Sequence, residues 1–236
     1  MKNLVRMFFI LLYITSALSL PRRSFAQSDR ADAVREYSEE EELLRFQSLE
    51  KEYGYKKDLP LGFELQALLA LSHYPELKDV RIRFIVGDVT IPLSSRPYWA
   101  TLFRSARERT YLVVIDNILE GPRDVLLLKN QPFNAQVGII GHELAHTVYY
   151  LDRSFFGILA DAYCQLSNCR IDFERNTDTR LVEYGLGWQR YDHAMFVRRR
   201  LSRTLTADAN IEGGGSAYMT PSELLSIMNK NQGYAN

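Results

Sequence analysis

An otherwise apolar helical segment carries two histidines and a glutamate, at His142, Glu143 and His146. The apolar residues around them recur at the spacing of one helix face: Val137, Ile140, Leu144 and Val148. Residues four apart lie on the same face of a helix, about 5–6 Å from each other, so both imidazoles can bind one metal ion. Charged and polar groups in such a helix need partners. The pattern therefore predicts a helix that packs on a core and carries a metal.

The flanking residues indicate where this helix begins and ends. Asn134 can accept hydrogen bonds from the free N–H groups of the first turn, so the helix is expected to begin at Phe133–Asn134 and to run to about Tyr150. Gly138 and Gly141 are expected to let the helix lie close against a sheet, because glycine has no side chain.

Glu143 is the predicted general base. It lies one residue round the helix from His142, close to the metal but not bound to it. A carboxylate in that position suits removal of a proton from metal-bound water. The alternative is a chance occurrence of this short pattern in a protein that binds no metal.

A catalytic zinc site normally has three protein ligands and one water, so a third ligand is required. Glu174 is the main candidate, and Asp178 lies four residues further on, on the same predicted helix face. Asp178 can accept a hydrogen bond from the far nitrogen of a zinc-bound histidine and so set its tautomer. Two alternatives stay open. His193 can replace Glu174 as the third ligand, or the two carboxylates can form a surface stripe paired with neighbouring arginines.

These five residues, His142, Glu143, His146, Glu174 and Asp178, resemble the motifs of the gluzincin zinc metallopeptidases. In that family the first motif supplies two histidine ligands and the glutamate base. The glutamate of the second motif supplies the third ligand, and its aspartate orients a histidine. The resemblance implies these same roles for the matching residues here.

The segments Phe133–Gln136 and Gly185–Gln189 resemble parts of small exported proteins of bacterial envelopes that contain a minimal gluzincin core. The resemblance extends over about residues 80–200 and is specific at the two motifs. It implies a zincin-like fold, in which a small mixed β-sheet packs on the active-site helix and a mostly helical half follows. It also implies that substrate lies extended along an edge strand.

Zinc peptidases commonly add a Tyr, His or Arg that donates a hydrogen bond to the developing oxyanion. Tyr184 and His193 are the candidates for this stabilising role, and Arg190 is considered beside them. Each residue also has an ordinary interpretation. Tyr184 can lie in the core or at its rim, His193 can form a local hydrogen bond, and Arg190 is expected on the surface.

Patterns along the rest of the chain predict an α+β fold, with strands first and helices afterwards. Strands are expected at residues 79–86, 89–93, 111–116 and 124–128, with a polar, aromatic loop at residues 94–110. Helices are expected at residues 61–73, 134–150, 171–184 and 192–201, and a capping box at Thr220–Glu223 opens a further helix. Residues 27–60 are interpreted as a solvated N-terminal helical segment, followed by a single domain at residues 61–236.

The N-terminus has the pattern of a signal peptide. Lys2 and Arg6 precede an apolar run at Met7–Leu20, and Ser24–Ala26 places small residues at the positions that a signal peptidase reads. The run is shorter than the about 20 residues that a membrane span usually needs, although an uncleaved anchor is the alternative. Residues 1–26 are therefore expected to be removed on export, which predicts a periplasmic, cell-envelope or secreted protein.

The two cysteines, Cys164 and Cys169, leave two interpretations open. In an oxidising compartment they can close a small loop as a disulfide. If the segment between them is helical, residues five apart point in different directions, and two free thiols are expected instead.

The charge balance limits the class of partner. Lys and Arg together number 29, the same as Asp and Glu together, so no overall field attracts nucleic acid. No segment after the signal peptide is apolar enough to span a membrane. The expected partner is a peptide or protein substrate, and the oligomeric state and cleavage specificity stay open.

These observations predict an exported zinc-dependent endopeptidase that uses one Zn²⁺ held by His142, His146 and Glu174. The alternative is a non-catalytic, zinc-containing protein that binds or assembles envelope components. Glu143 favours the enzyme, because a purely structural zinc site has no use for a general base.

Overall fold

The computed structural model describes residues 32–87, 93–116, 118, 124–165, 169–204 and 217–234. The signal peptide expected at residues 1–26 and most of the strand expected at residues 89–93 lie outside these ranges. The helices are α1 (Glu39–Leu43), α2 (Phe46–Tyr53), α3 (Glu64–Ser72), α4 (Phe133–Tyr150), α5 (Phe155–Gln165), α6 (Arg170–Glu183), α7 (Gly187–Thr204) and α8 (Pro221–Met228). The strands are β1 (Lys57–Asp58), β2 (Arg81–Gly87), β3 (Leu93–Pro97) and β4 (Thr110–Asp116). Among the described helices, none is both long enough and apolar enough to cross a bilayer.

The described strands form one mixed sheet in the order β1-β2-β4-β3. Strands β1, β2 and β4 run parallel, and β3 runs antiparallel to β4 at the edge. In β2 the buried Ile82 and Phe84 alternate with the exposed Arg81 and Arg83, as the sequence predicts for a half-buried strand. Strand β4 is buried along its whole length. The predicted α+β class is confirmed.

Helix α4 lies at the centre of the core. It packs against α7, α3 and the edge strand β3. The apolar stripe predicted for it is present, since Val137, Ile140 and Leu144 are fully buried. The helix spans Phe133–Tyr150, as the sequence predicts.

The two glycines of α4 permit a close approach, but not to the sheet as predicted. A Cβ on Gly138 would lie 2.2 Å from the backbone oxygen of Gln189. A Cβ on Gly141 would lie 2.6 Å from Cδ1 of Leu186. The close contact is therefore with the start of α7 and the turn before it, and it lets α7 pack tightly on α4.

Two sequence predictions about local structure are wrong. Residues 94–97, predicted as loop, belong to β3, because backbone pairing with β4 outweighs the low strand propensity of Ser and Pro. Residues 124–128, predicted as strand, lie mostly in two 3₁₀ turns at Asp124–Leu126 and Leu128–Asn130. Helix α5 has no counterpart in the sequence prediction.

Asn134 does not cap α4 as predicted. Pro132 occupies the N-cap position. The side chain of Asn134 instead accepts a hydrogen bond from the backbone N–H of Tyr37 at 3.2 Å and donates one to Asp192 of α7. Asn134 therefore joins the N-terminal segment and α7 to the central helix. That segment is not simply solvated, because Tyr37 and Leu49 are buried in the same core.

Three local details near the C-terminal helices agree with the sequence. Gly185 follows α6 with a φ of 85°, which suits a glycine just past a helix end. Thr220 and Glu223 form both hydrogen bonds of the predicted capping box on α8. Cys164 and Cys169 form a disulfide with a Cα–Cα distance of 5.4 Å, so the disulfide interpretation is the correct one.

Candidate metal centre

Three side chains from two helices converge in the interior: His142 and His146 of α4 and Glu174 of α6. Nε2 of His142 lies 3.1 Å from Nε2 of His146. Oε2 of Glu174 lies 3.1 Å from Nε2 of His142 and 3.2 Å from Nε2 of His146. All three residues are buried. Within the part of the chain that the structure describes, no other group of His, Cys, Asp or Glu is arranged to hold a metal ion.

Hydrogen bonds at Nδ1 determine which nitrogen of each histidine faces the centre. Nδ1 of His142 donates a hydrogen bond to Oδ1 of Asp178 at 2.8 Å, since a carboxylate can only accept. The hydroxyl of Thr177 donates to the carbonyl oxygen of Phe173, so it accepts from Nδ1 of His146 at 3.2 Å. Nε2 of each imidazole is therefore the nitrogen that faces the centre and can bind a metal ion. The ring of Phe173 stacks on His146, with 5.0 Å between ring centroids, and holds its orientation.

The donor set fits a metal ion. Three lone pairs that face each other at 3.1–3.2 Å need a cation between them. Ligands about 2.0–2.1 Å from a tetrahedral ion lie about 3.3 Å apart, close to these distances. The neighbouring carboxylates favour positive charge at His142, whether a metal ion or a proton supplies it. Burial lowers the pKa of His142, but the carboxylates of Asp178 and Glu174 outweigh burial and raise it to about 9. A metal ion that binds here near neutral pH therefore displaces a proton from this imidazole.

Asp178 connects the metal-binding helices to the C-terminal part of the chain. Its Oδ1 accepts hydrogen bonds from Nδ1 of His142 and from Nε of Arg190, the latter at 2.7 Å. Its Oδ2 accepts from the backbone N–H of Met219 at 2.9 Å. Burial raises the pKa of Asp178, but Arg190 and His142 outweigh it and hold the pKa well below its usual range. The carboxylate is therefore ionised and fully paired.

Glu143 lies at the wall of a cleft of about 450 Å³, together with His146 and Glu174. The residue is only 5% exposed. No side chain of the described residues makes a hydrogen bond with its carboxylate. Burial raises the pKa of Glu143, and the positive charge of His146 and His142 offsets part of this rise. A raised pKa makes a carboxylate a better proton acceptor.

Three groups of residues form the rest of the cleft wall. Strand β3 forms one side, and the hydroxyl of its Ser95 lies 2.9 Å from that of Thr147, which fixes the strand on α4. Apolar side chains form a second part of the wall: Leu102, Tyr150, Ile158, Ala162 and Phe173. Tyr218, which precedes α8, closes the third side. The lining of the cleft therefore combines polar residues of β3 and apolar side chains with Glu143.

Tyr184 and His193 are not among the residues that line the cleft, so the structure gives no support to their predicted role at the oxyanion. The hydroxyl of Tyr184 donates a hydrogen bond to Glu76, and Tyr184 does not line the cleft. Nδ1 of His193 lies 2.7 Å from Oε1 of Gln131. His193 also stands outside the metal-binding group, so the alternative third ligand is not realised. Both side chains are held by partners that the sequence pattern does not reveal.

Arg190 and Tyr218 contribute to the centre in ways that the sequence does not predict. Arg190, expected on the surface, is only 2% exposed because Asp178 neutralises it. Its guanidinium carbon lies 5.2 Å from the centroid of the Tyr218 ring, which also contacts the edge of His142. Burial raises the pKa of Tyr218 to about 12, so its hydroxyl keeps its proton. No local sequence signal marks Tyr218, since it reaches the cleft only through the fold.

No protein-family model, curated protein or solved structure was found to match this chain.

Proposed function

We propose that this protein is a zinc-dependent endopeptidase of the gluzincin type, with a zincin-like fold. The observation that carries the proposal is the position of Glu143. Its carboxylate is buried at the cleft wall, makes no hydrogen bond to a described side chain, and lies beside three converging metal donors. A site with only a structural role has no reason to keep an unpaired carboxylate there.

His142, His146 and Glu174 would hold the ion, and two imidazoles with one carboxylate form a donor set that suits Zn²⁺. When bound, Zn²⁺ supplies Lewis acidity, which lowers the pKa of a water molecule and polarises the scissile carbonyl. Asp178 and Thr177 hold the two imidazoles in the tautomer that binds metal.

Glu143 moves the proton in the proposed reaction. Its carboxylate accepts a proton from the attacking water as the water oxygen bonds to the carbonyl carbon. The C–N bond then breaks, and Glu143 passes the proton to the leaving nitrogen. Tyr218, rather than Tyr184, provides a protonated hydroxyl in the cleft for the developing oxyanion.

Strand β3 supports an extended peptide as the substrate. It is the last strand of the described sheet, so one of its edges is not paired with another strand. A peptide can add to such an edge through backbone hydrogen bonds. Ser94, Ser95 and Arg96 of β3 line the cleft beside Glu143.

We further propose that the protein is exported to an oxidising compartment outside the cytoplasm. The predicted signal peptide at residues 1–26 supports export. The Cys164–Cys169 disulfide adds independent support, because structural disulfides persist mainly in oxidising compartments.

The test compares the wild type with the isosteric variant Glu143→Gln. The variant removes the proton acceptor and leaves the metal donors in place, so kcat on a mixed peptide library falls by about 100-fold to 10,000-fold while zinc stoichiometry is unchanged. The exposed Glu40→Gln is the matched control and keeps full activity. Equal turnover by Glu143→Gln would refute the mechanism. One bound zinc with no product from any peptide would favour the non-catalytic binding protein.

A further inference from the structure

An exposed aromatic surface adjoins the mouth of the cleft. Trp99 is 57% exposed, Phe103 84%, Phe156 77% and Tyr163 76%. We call these four residues and Leu159 the aromatic patch. Large apolar side chains grouped in this way on a water-soluble protein mark an interaction surface.

Helix α5 contributes one face to the aromatic patch and another to the cleft. Phe156, Leu159 and Tyr163 follow the spacing of a single helix face, and all three are exposed. Ile158 and Ala162 of the same helix line the cleft. None of the residues that the structure describes covers this stripe, so it is available to a partner outside the protein.

The loop after β3 belongs to the same surface as α5. The ring of Phe103 stacks on that of Phe155, with 4.8 Å between centroids. Nη1 of Arg109 donates to the carbonyl oxygen of Arg153 at 2.7 Å, which ties the loop to the start of α5. Trp99 itself lines the cleft. The aromatic patch therefore joins residues of this loop and of α5, and Trp99 places part of it at the cleft.

The charge around the aromatic patch is positive. Residues 93–107 contain the exposed cations Arg96, Arg104 and Arg107 and no acidic residue. Asp161 is the one acidic residue of α5, and it is buried in a salt bridge with Arg153. Even with Glu108 counted, the cations are in excess, although the whole chain is neutral.

We propose that the aromatic patch docks on the surface of a lipid bilayer that contains anionic headgroups. Trp, Tyr and Phe favour the boundary between headgroups and acyl chains, where one end of the ring is apolar and the other is wet. Arginines beside them gain from the negative potential of anionic lipids. If the proposed peptidase function holds, this docking turns the cleft toward protein segments that lie at the membrane surface.

The charge argues against a second copy of the chain as the partner. A two-fold contact through the aromatic patch would place the same surface on both sides. The positive charge of Arg104 and Arg107 would then face a surface of the same sign, and like charges repel. An anionic bilayer instead complements the positive charge.

The first test measures binding to vesicles by flotation, with the chain from Gln27 onward, which contains every described residue. Vesicles of phosphatidylcholine alone are compared with vesicles that also contain phosphatidylglycerol. The wild type binds the anionic vesicles more tightly. The double variant Phe103→Ser/Phe156→Ser loses binding by about tenfold or more, since both side chains are exposed in the folded protein. The matched control, Leu44→Ser/Leu61→Ser, removes equally exposed apolar residues elsewhere and binds as the wild type does.

The second test removes charge. Arg104→Gln/Arg107→Gln weakens binding to the anionic vesicles by about tenfold, and added salt weakens the wild type in the same way. Lys51→Gln/Lys230→Gln changes the net charge equally at exposed positions outside the aromatic patch and leaves binding unchanged. Equal losses in both charge variants would overturn the assigned docking surface.

Trp99 reports insertion directly. The chain has two tryptophans, so Trp188→Phe leaves Trp99 as the only source of indole emission. Emission that shifts to shorter wavelength on anionic vesicles supports docking through the aromatic patch. No binding to either vesicle, or a dimer in sedimentation that Phe103→Ser/Phe156→Ser abolishes, would overturn the proposal. These readouts involve no peptide hydrolysis, so their failure is distinguishable from failure of the peptidase function.

Discussion

The carboxylate of Asp178 accepts a hydrogen bond from Nδ1 of His142 at 2.8 Å in the interior of the protein. The same oxygen also accepts from Nε of Arg190, so this cation offsets the cost of burying the aspartate. The contact gives α6 two roles at one centre, because Glu174 supplies a donor and Asp178 orients a histidine.

We expect Asp178→Asn to weaken zinc binding by about 10-fold to 100-fold, since the amide holds His142 less firmly in its metal-binding tautomer. The variant also leaves Arg190 buried without an anionic partner, which lowers the free energy of unfolding by about 3–5 kcal/mol. Chelator competition measures the zinc affinity, and urea unfolding measures the stability. Asp172→Asn, on the exposed side of the same helix, is the control. Wild-type zinc affinity in Asp178→Asn would contradict the assigned role.

Thr177 offers a sharper test of tautomer control at His146. Thr177→Val keeps the shape of the side chain but removes the oxygen that accepts from Nδ1, whereas Thr177→Ser keeps that oxygen. We expect zinc affinity to fall by about tenfold in the valine variant and to stay near wild type in the serine variant. The same chelator competition measures both. Equal affinities in the two variants would exclude a contribution from the hydroxyl.

His73 predicts a pH dependence of stability away from the metal centre. It is fully buried, donates from Nδ1 to the carbonyl oxygen of Tyr184 and accepts at Nε2 from the hydroxyl of Tyr37. Burial lowers the pKa of His73 to about 4, and the Tyr184 carbonyl offsets only part of this effect. In the unfolded chain the pKa is about 6.5, so below that pH the unfolded state binds a proton that the folded state rejects.

Stability from neutral His73 is therefore complete above about pH 6.5 and falls as the pH drops towards about 4, by on the order of 3 kcal/mol. Urea unfolding at a series of pH values measures this slope. His73→Asn can still donate to the Tyr184 carbonyl but carries no titrating group. Its free energy of unfolding should be lower than wild type at neutral pH, and the gap should narrow on acidification. A constant gap between the two proteins would refute the assignment.

We expect substitution of glycine by alanine to have opposite effects on stability at two helical positions. Gly138→Ala places a Cβ 2.2 Å from the backbone oxygen of Gln189, so α4 and α7 must separate, at a cost of about 1–3 kcal/mol or more. Gly157→Ala meets nothing closer than 3.4 Å, and alanine favours the helix by up to about 1 kcal/mol. Thermal unfolding of both variants measures the difference. A Gly138→Ala protein as stable as the wild type would contradict the close helix contact.

Much of the candidate centre is predictable from residue spacing within single helices. His142, Glu143 and His146 lie within two turns of α4, and Glu174 and Asp178 are one turn apart on α6. Helix geometry alone decides which of these side chains share a face. The buried strand Thr110–Asp116 and the capping box of α8 are predictable for the same reason, because their signals are local.

Contacts between distant parts of the chain are not predictable in this way. The hydrogen bonds of Asn134 with Tyr37 and Asp192, and the placement of the Tyr184 hydroxyl on Glu76, depend on which elements pack together. A polar side chain can form hydrogen bonds with many groups, and the packing of the elements decides which group lies within reach. The neighbouring sequence therefore does not predict the hydrogen-bond partner.

The sequence by itself determined that His142 and His146 share one helix face and that Glu143 lies beside them, because both follow from the periodicity of one helix. It left the third metal ligand open between Glu174 and His193. Only the tertiary structure decided that α6 meets α4 at those residues, that Arg190 is buried against Asp178, and that β3 and Tyr218 enclose the cleft. The physical reason is that helix periodicity acts over a few residues. The packing of helices and strands depends on shape and charge across the whole core.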